Sequence, residues 1–90
     1  MALIDDIKKV LRISSNAFDT EVTDLIEAAK IDLRISGVDV IDETDALIKR
    51  AISIYCKANF GYDNADADRL IESYQSLKQH LAISSDYEVE

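Results

Sequence analysis

The stretch 63-DNADADRLIESYQ-75 sets Asn64, Asp66 and Asp68 at alternate positions. That is the spacing of the first three oxygen ligands of an EF-hand calcium loop. Such a loop also needs a glycine at its sixth position, for the sharp turn, and a bidentate glutamate at its twelfth. Counted from Asn64, those positions hold Arg69 and Gln75. Arg69 would place a cation where the loop must fold around one, and Gln75 cannot offer two carboxylate oxygens. Starting at Asp66 makes Leu70 the third ligand, which is worse. The stretch reads instead as a helix start. Asp63 or Asn64 caps it, and Asp66 and Asp68 meet the positive end of the helix dipole.

Other reactive types do not converge. Cys56 and His80 are a nucleophile and a base in kind, but they fall on different expected helices. Cys56 lies in the most apolar of these, where a thiol is ordinarily buried and inert. His80 flanks an apolar stripe and is expected at the surface. Two such ligands are too few for a structural zinc site, and no metal or cofactor is expected. There is no phosphate-cradling glycine loop and no nucleophile-elbow serine. Asp5-Asp6 and Asp42-Glu43 are adjacent in sequence, so they point to different sides of a helix and suit solvent better than acid–base work. An acyl-carrier protein would need an Asp-Ser-Leu attachment site. The corresponding region reads Ala17-Phe18-Asp19-Thr20-Glu21. No enzyme is expected; the chain reads as one that works through contacts.

The elements that would position any such contacts are helices. The chain has no proline and only two glycines, Gly37 and Gly61. Each glycine follows a run of helical period, the place where glycine ends a helix in the left-handed conformation. A first helix is expected from Ala2 to about Arg12, with Leu3, Ile7, Val10 and Leu11 on one face. A second runs from Phe18 or Asp19 to Ser36, striped by Val22, Leu25, Ile26, Ala29 and Leu33. The loop GVDVIDE that follows is unusually apolar, and part of it is expected to tuck against the core. Asp42 or Thr44 then starts a third helix, ending near Phe60. It is apolar on more than one face and so central. A fourth runs from about Asp66 to Leu81, with Leu70, Tyr74, Leu77 and Leu81 as its seam. The expected fold class is all-α, a small bundle of about four helices with a short extended C-terminal tail. Residues 1–82 form the helical domain, and residues 83–90 (ISSDYEVE) a flexible acidic tail. The expected core is Ile7, Leu11, Leu25, Ile26, Ala29, Ile48, Ile52, Tyr55, Leu70, Tyr74 and Leu77.

Ninety residues make one domain with a small core. The N-terminus reaches carboxylates at once, unlike a secretory leader. No stretch approaches the ~18 apolar residues of a membrane helix. One cysteine cannot form an internal disulfide, which fits a reducing compartment. The net charge of −8 argues against binding the outside of a DNA duplex.

Four segments resemble one family. They are 10-VLRIS-14, 25-LIEAAKIDL-33 followed by Gly37, 47-LIKRAISIYCKANFGY-62, and 69-RLIESYQSLKQHL-81. In this order they are similar to the head–tail connector (adaptor) proteins of tailed bacteriophages. Those proteins typically show a Leu-Arg-Ile turn after a short helix and a Leu-Ile-x-Ala-Ala helix ending at glycine. A long apolar helix with a tyrosine and a closing Leu-x-x-x-Tyr-x-x-Leu helix follow. The likeness runs from about Ala2 to Leu81. The chain departs from relatives in lacking a basic stretch after Tyr62 and a long C-terminal arm, and in its short Gly37–Glu43 loop.

The resemblance implies a structural virion protein with no catalytic role. Its copies form a ring under the portal protein and extend the DNA channel. The ring receives a stopper or tail-completion protein, and DNA passes without sequence-specific binding. The place implied is the virion head–tail junction, with host cytoplasm before assembly. On that reading an acidic channel surface would repel phosphates; solubility alone accounts for the acids equally well. The candidate contact residues are Phe60 and Tyr62, which bracket Gly61, and Tyr87 and Val89, the apolar positions of the tail. Capping the core is the favoured role of Phe60 and Tyr62, since aromatics are core residues first, and the tail could be an ordinary frayed end. The competing reading is an acidic phage-encoded regulatory module acting on a host protein. Mimicry of DNA would need carboxylates in dense rows, whereas here they are spread through all four helices among ten basic residues.

Overall fold

The computed structural model describes residues 3–38, 41–60 and 65–83. Among these residues the protein is all-α, with four α-helices and one short 3₁₀ turn. Helix α1 is Leu3–Leu11, the 3₁₀ turn is Asn16–Phe18, α2 is Asp19–Ile35, α3 is Ala46–Asn59 and α4 is Ala67–Ile83. Helix α3 packs against α1, α2 and α4, the central place its apolar faces predict.

The ends of the helices follow from local chemistry. After α2, the Gly37 N–H donates to the Arg34 carbonyl and the Val38 N–H to the Leu33 carbonyl. Gly37 sits at φ +104°, so this is the glycine-terminated cap expected from the sequence. Val38, the next residue, is fully buried, which anchors the apolar loop in the core as anticipated. Helix α1 ends the same way without a glycine. The Arg12 N–H donates to the Lys9 carbonyl and the Ile13 N–H to the Lys8 carbonyl, with Arg12 at φ +60°. An L-residue there carries about 1–2 kcal/mol of strain. Arg12→Gly is therefore expected to leave stability unchanged or raise it by up to about 1 kcal/mol, read as an upward shift in Tm.

The start of α3 corrects the expectation. Asp45, rather than Asp42 or Thr44, is the N-cap, its Oδ1 accepting from the Leu47 and Ile48 N–H groups at 2.8 and 3.2 Å. Asp42 spends its carboxylate one turn earlier, accepting from the Thr44 hydroxyl at 2.7 Å and the Thr44 N–H at 2.9 Å. Asp45→Ala is expected to cost about 1 kcal/mol. In a domain this size that appears as a Tm lowered by about 4–8 °C in a thermal melt.

Of the expected core, Ile7, Ile26, Ala29, Ile48, Ile52 and Tyr74 are buried, and Leu11, Leu25, Tyr55 and Leu77 pack against them partly buried. Leu70 is a correction: it is half-buried in the first turn of α4 and lines a surface groove. Leu3, Val22, Leu33, Val38, Ala51, Cys56 and Leu81 complete the core. Helix α4 runs to Ile83, beyond the expected end near Leu81. The expected caps Asp63 and Asn64, Gly61, and most of the tail lie outside the described residues.

Ion pairs join the helices. Lys8 on α1 meets Asp19 of α2 at 2.7 Å, Lys49 on α3 meets Asp6 of α1 at 3.3 Å, and Lys78 on α4 meets Asp32 of α2 at 3.0 Å. Lys30 joins Glu27 on its own helix to Glu43 in the loop, and the Glu43 hydrogen bond above all raises its pKa against the opposing effect of burial. Carboxylates of an acidic chain thus serve as cross-links within the bundle.

Candidate functional site

Helical periodicity places Cys56 on the inner side of α3, fully buried among core residues. Desolvation pushes its thiol up to about 12, far from the thiolate a nucleophile needs. His80 is exposed on α4, so the two do not form a pair. A thiol reagent is expected to leave Cys56 unmodified at pH 8 and to label it fully after denaturation, a difference read by mass spectrometry. At the head of α4, Asp66 forms an ion pair with Arg69 at 3.2 Å. Arg69 thus engages one of the carboxylates that an EF-hand would give to calcium. Among the described residues no group of His, Cys, Asp and Glu is arranged to hold a metal.

One polar cluster lies between α2 and α4, with its carboxylate 37% exposed. The Tyr74 hydroxyl on α4 donates to Asp32 Oδ2 on α2 at 2.6 Å, and Lys78 Nζ donates to the same oxygen at 3.0 Å. The Lys78 ammonium also lies 5.2 Å from the centre of the Tyr74 ring, and Tyr55 packs edge-on against that ring at 5.2 Å. Burial works to raise the Asp32 pKa, but the hydrogen bonds from Tyr74 and Lys78 outweigh it and lower the pKa. The Tyr74 pKa is raised, by burial first and by Asp32 second. Each pKa is moved further from pH 7, the opposite of what a general acid or base requires. This cluster fastens α2 to α4.

Of the expected contact residues, the structure places Phe60. It is the C-cap of α3, its N–H donates to the Cys56 carbonyl at 2.9 Å, and its ring meets Phe18 edge-on at 5.6 Å. Phe60 is partly buried and Phe18 is 44% exposed, so the pair forms an aromatic edge at one end of the bundle. Tyr62, Tyr87 and Val89 lie outside the described residues.

A feature the sequence reading passed over is a groove of about 480 Å³ along the outer face of α3. Its walls include Ala46, Lys49, Arg50, Ser53, Ile54 and Lys57 from α3, with Thr44, Val10 and Leu70 beside them. A signal was present: the helix sequence ALIKRAISIYCKAN contains three bases and no acid, inside a chain of net charge −8.

The described residues thus form a four-helix bundle with a buried thiol, a polar clasp between α2 and α4 and shallow surface grooves. The comparison with protein families then gives the particular class. A family profile described as phage connector protein matches residues 3–88, and the chain belongs to that family. The comparison with curated proteins gives no match, and the comparison with solved structures gives none. No helix among the described residues is long and apolar enough to cross a membrane.

Proposed function

We propose that this chain is a head–tail connector subunit of a tailed phage or prophage. Its copies assemble as a ring under the portal protein, lengthen the channel through which DNA leaves the head, and receive a stopper or tail-completion protein. It works at the head–tail junction of the virion and waits in the host cytoplasm before assembly. The observation that carries this reading is the family match across residues 3–88. Two features support it. Apolar side chains stand in solvent where a monomer has no use for them, notably Ile31 (54% exposed) and Ile35 (80%), one turn apart on α2. The cross-linked bundle would also hold such faces rigidly, which repeated packing in a ring requires.

Phe60, Tyr62, Tyr87 and Val89 are the contact residues of this proposal, with portal or neighbouring subunits as partners. The acidic surface would let the phosphate backbone pass without sticking. The test is removal of the gene from the phage or inducible prophage that carries it, with the lysate viewed by electron microscopy. Separate heads and tails, rejoined when the protein is supplied, are expected. Normal joined, infectious particles would overturn the proposal in favour of an acidic regulatory module.

A further inference from the structure

Helix α1 has nine residues, and an isolated helix shorter than about 12–15 residues is marginal in water. It is helical because it is docked. It packs against α2 and α3. It gives the core two buried side chains, Leu3 and Ile7, where α2 gives four and α3 five. Ile4, Leu11 and the following Ile13 add partial burial. Its polar ties lie near the surface. Lys8 reaches Asp19 at 2.7 Å and Asn16 at 3.2 Å, and Asp6 meets Lys49 at 3.3 Å. Such pairs are individually weak and are screened by salt. The rest of the bundle is tied together without α1. Helix α3 packs on both α2 and α4, and Asp32 of α2 accepts from Tyr74 and Lys78 of α4.

The chain leaves α1 through a strained residue. Arg12 is held at φ +60° while its N–H donates to the Lys9 carbonyl and the Ile13 N–H donates to the Lys8 carbonyl. Both bonds require α1 to be helical. Once α1 unwinds, Arg12 returns to an ordinary φ, so the strain favours opening. Ser14, next to Ile13, is exposed and gives the hinge no anchor in the core. We propose that α1 is a strap. It opens from the bundle as one unit, hinged at residues 12–14, while α2, α3 and α4 stay folded. Light attachment alone would give a fraying end. The end bonds shared across residues 8–13 and the strain stored at Arg12 make the segment open together, below the cost of global unfolding. Opening bares the apolar underside of α1 and the faces of α2 and α3 that it covers, a surface the closed subunit hides. The inference concerns the single chain and does not rest on ring assembly.

Hydrogen exchange of the native full chain, followed by NMR in rising sub-denaturing urea, is the test. Residues 7–13 are expected to share one opening equilibrium, about tenfold or more larger than that of residues 52–56 in α3, with a shallower dependence on urea. One equilibrium and one slope for both segments would overturn the proposal, because α1 would then open only with the whole molecule. So would protection that declines steadily from residue 13 toward residue 7, the pattern of an end that frays. The variant Leu3→Ala/Ile7→Ala gives a second reading. It should leave residues 7–13 unprotected. Residues 52–56 should lose no more protection than residues 7–13 had in the parent, since α1 can be lost only once. A larger loss in α3 would overturn the strap.

Discussion

Ile52→Ala is expected to lower the unfolding free energy by about 2–5 kcal/mol. Ile52 is fully buried on α3, the helix that packs against all three others. Removing most of its side chain forfeits apolar burial and leaves a cavity that three neighbours must collapse together to fill. Small domains have only about 5–15 kcal/mol in total, so the variant stands near the edge of folding at 37 °C. Urea titration is the check: the midpoint should fall with the slope unchanged. Ile35→Ala is the matched control. Ile35 is 80% exposed at the end of α2, and its truncation should stay within about 0.5 kcal/mol of the parent. If the proposed connector assembly uses the α2 face, Ile35→Asp should fold normally yet fail to join heads to tails. Loss of joining with intact folding separates a contact surface from a core.

What the sequence made legible was what local periodicity encodes. Stripes such as Val22, Ile26, Ala29 and Leu33 repeat at helical spacing and all lie in the core. Gly37 marked the end of α2 because glycine alone among the nearby residues adopts its φ cheaply. Arg12 ends α1 by the same hydrogen-bond pattern, but nothing in its chemistry announces a positive φ. The start of α3, expected at Asp42 or Thr44, was misread by three residues or by one for a related reason. Asp42 and Asp45 have the same side chain, and which of them caps the helix depends on where the backbone turns. Leu70 fits its stripe as well as Leu77 does. It stands outside the core only because the first turn of α4 faces a groove, which is a matter of how helices cross. Interactions between distant residues were the least legible. Asp32 and Tyr74 stand 42 positions apart, and neither residue type names its partner. The groove on α3 lay between these cases. Its run of bases without an acid was visible, but its depth comes from α1 and α4.

Asp32→Ala is expected to cost about 1.5–3 kcal/mol, because it strips a charged acceptor from a buried tyrosine hydroxyl and a largely covered ammonium. The Asp32 side chain is 37% exposed, so water replaces part of what the acceptor supplies and the low end of that range is expected. Tyr74→Phe removes the donor and should cost less than Asp32→Ala. The double variant should cost less than the sum of the two, since the second change removes a group the first has already orphaned, with a coupling of about 0.5–3 kcal/mol. Two stacked but uncoupled residues would give additive costs, and that result would dissolve the clasp. Its pH signature is equally specific. The folded Asp32 carboxyl lies below its ordinary value, held there by Tyr74 and Lys78 against the upward push of burial. Its contribution is therefore fully present above the unfolded carboxylate value of about 3.9, and it is lost as pH falls through the lower folded value. The parent should show an acid limb below about pH 4 that is shallower in Asp32→Asn. Tyr74 is shifted the other way, up from the ordinary phenol value, first by burial. An unfolded tyrosine ionises near pH 10, so above that pH the unfolded chain gives up a proton that the folded chain keeps, and stability falls. Tyr74→Phe should lack this alkaline loss and, because it removes the larger of the hydrogen bonds that hold the Asp32 pKa down, should also show a shallower acid limb. Stability profiles of the three proteins from pH 2 to 11 would therefore show both limbs changing together, as they must if both belong to the single contact that binds α2 to α4.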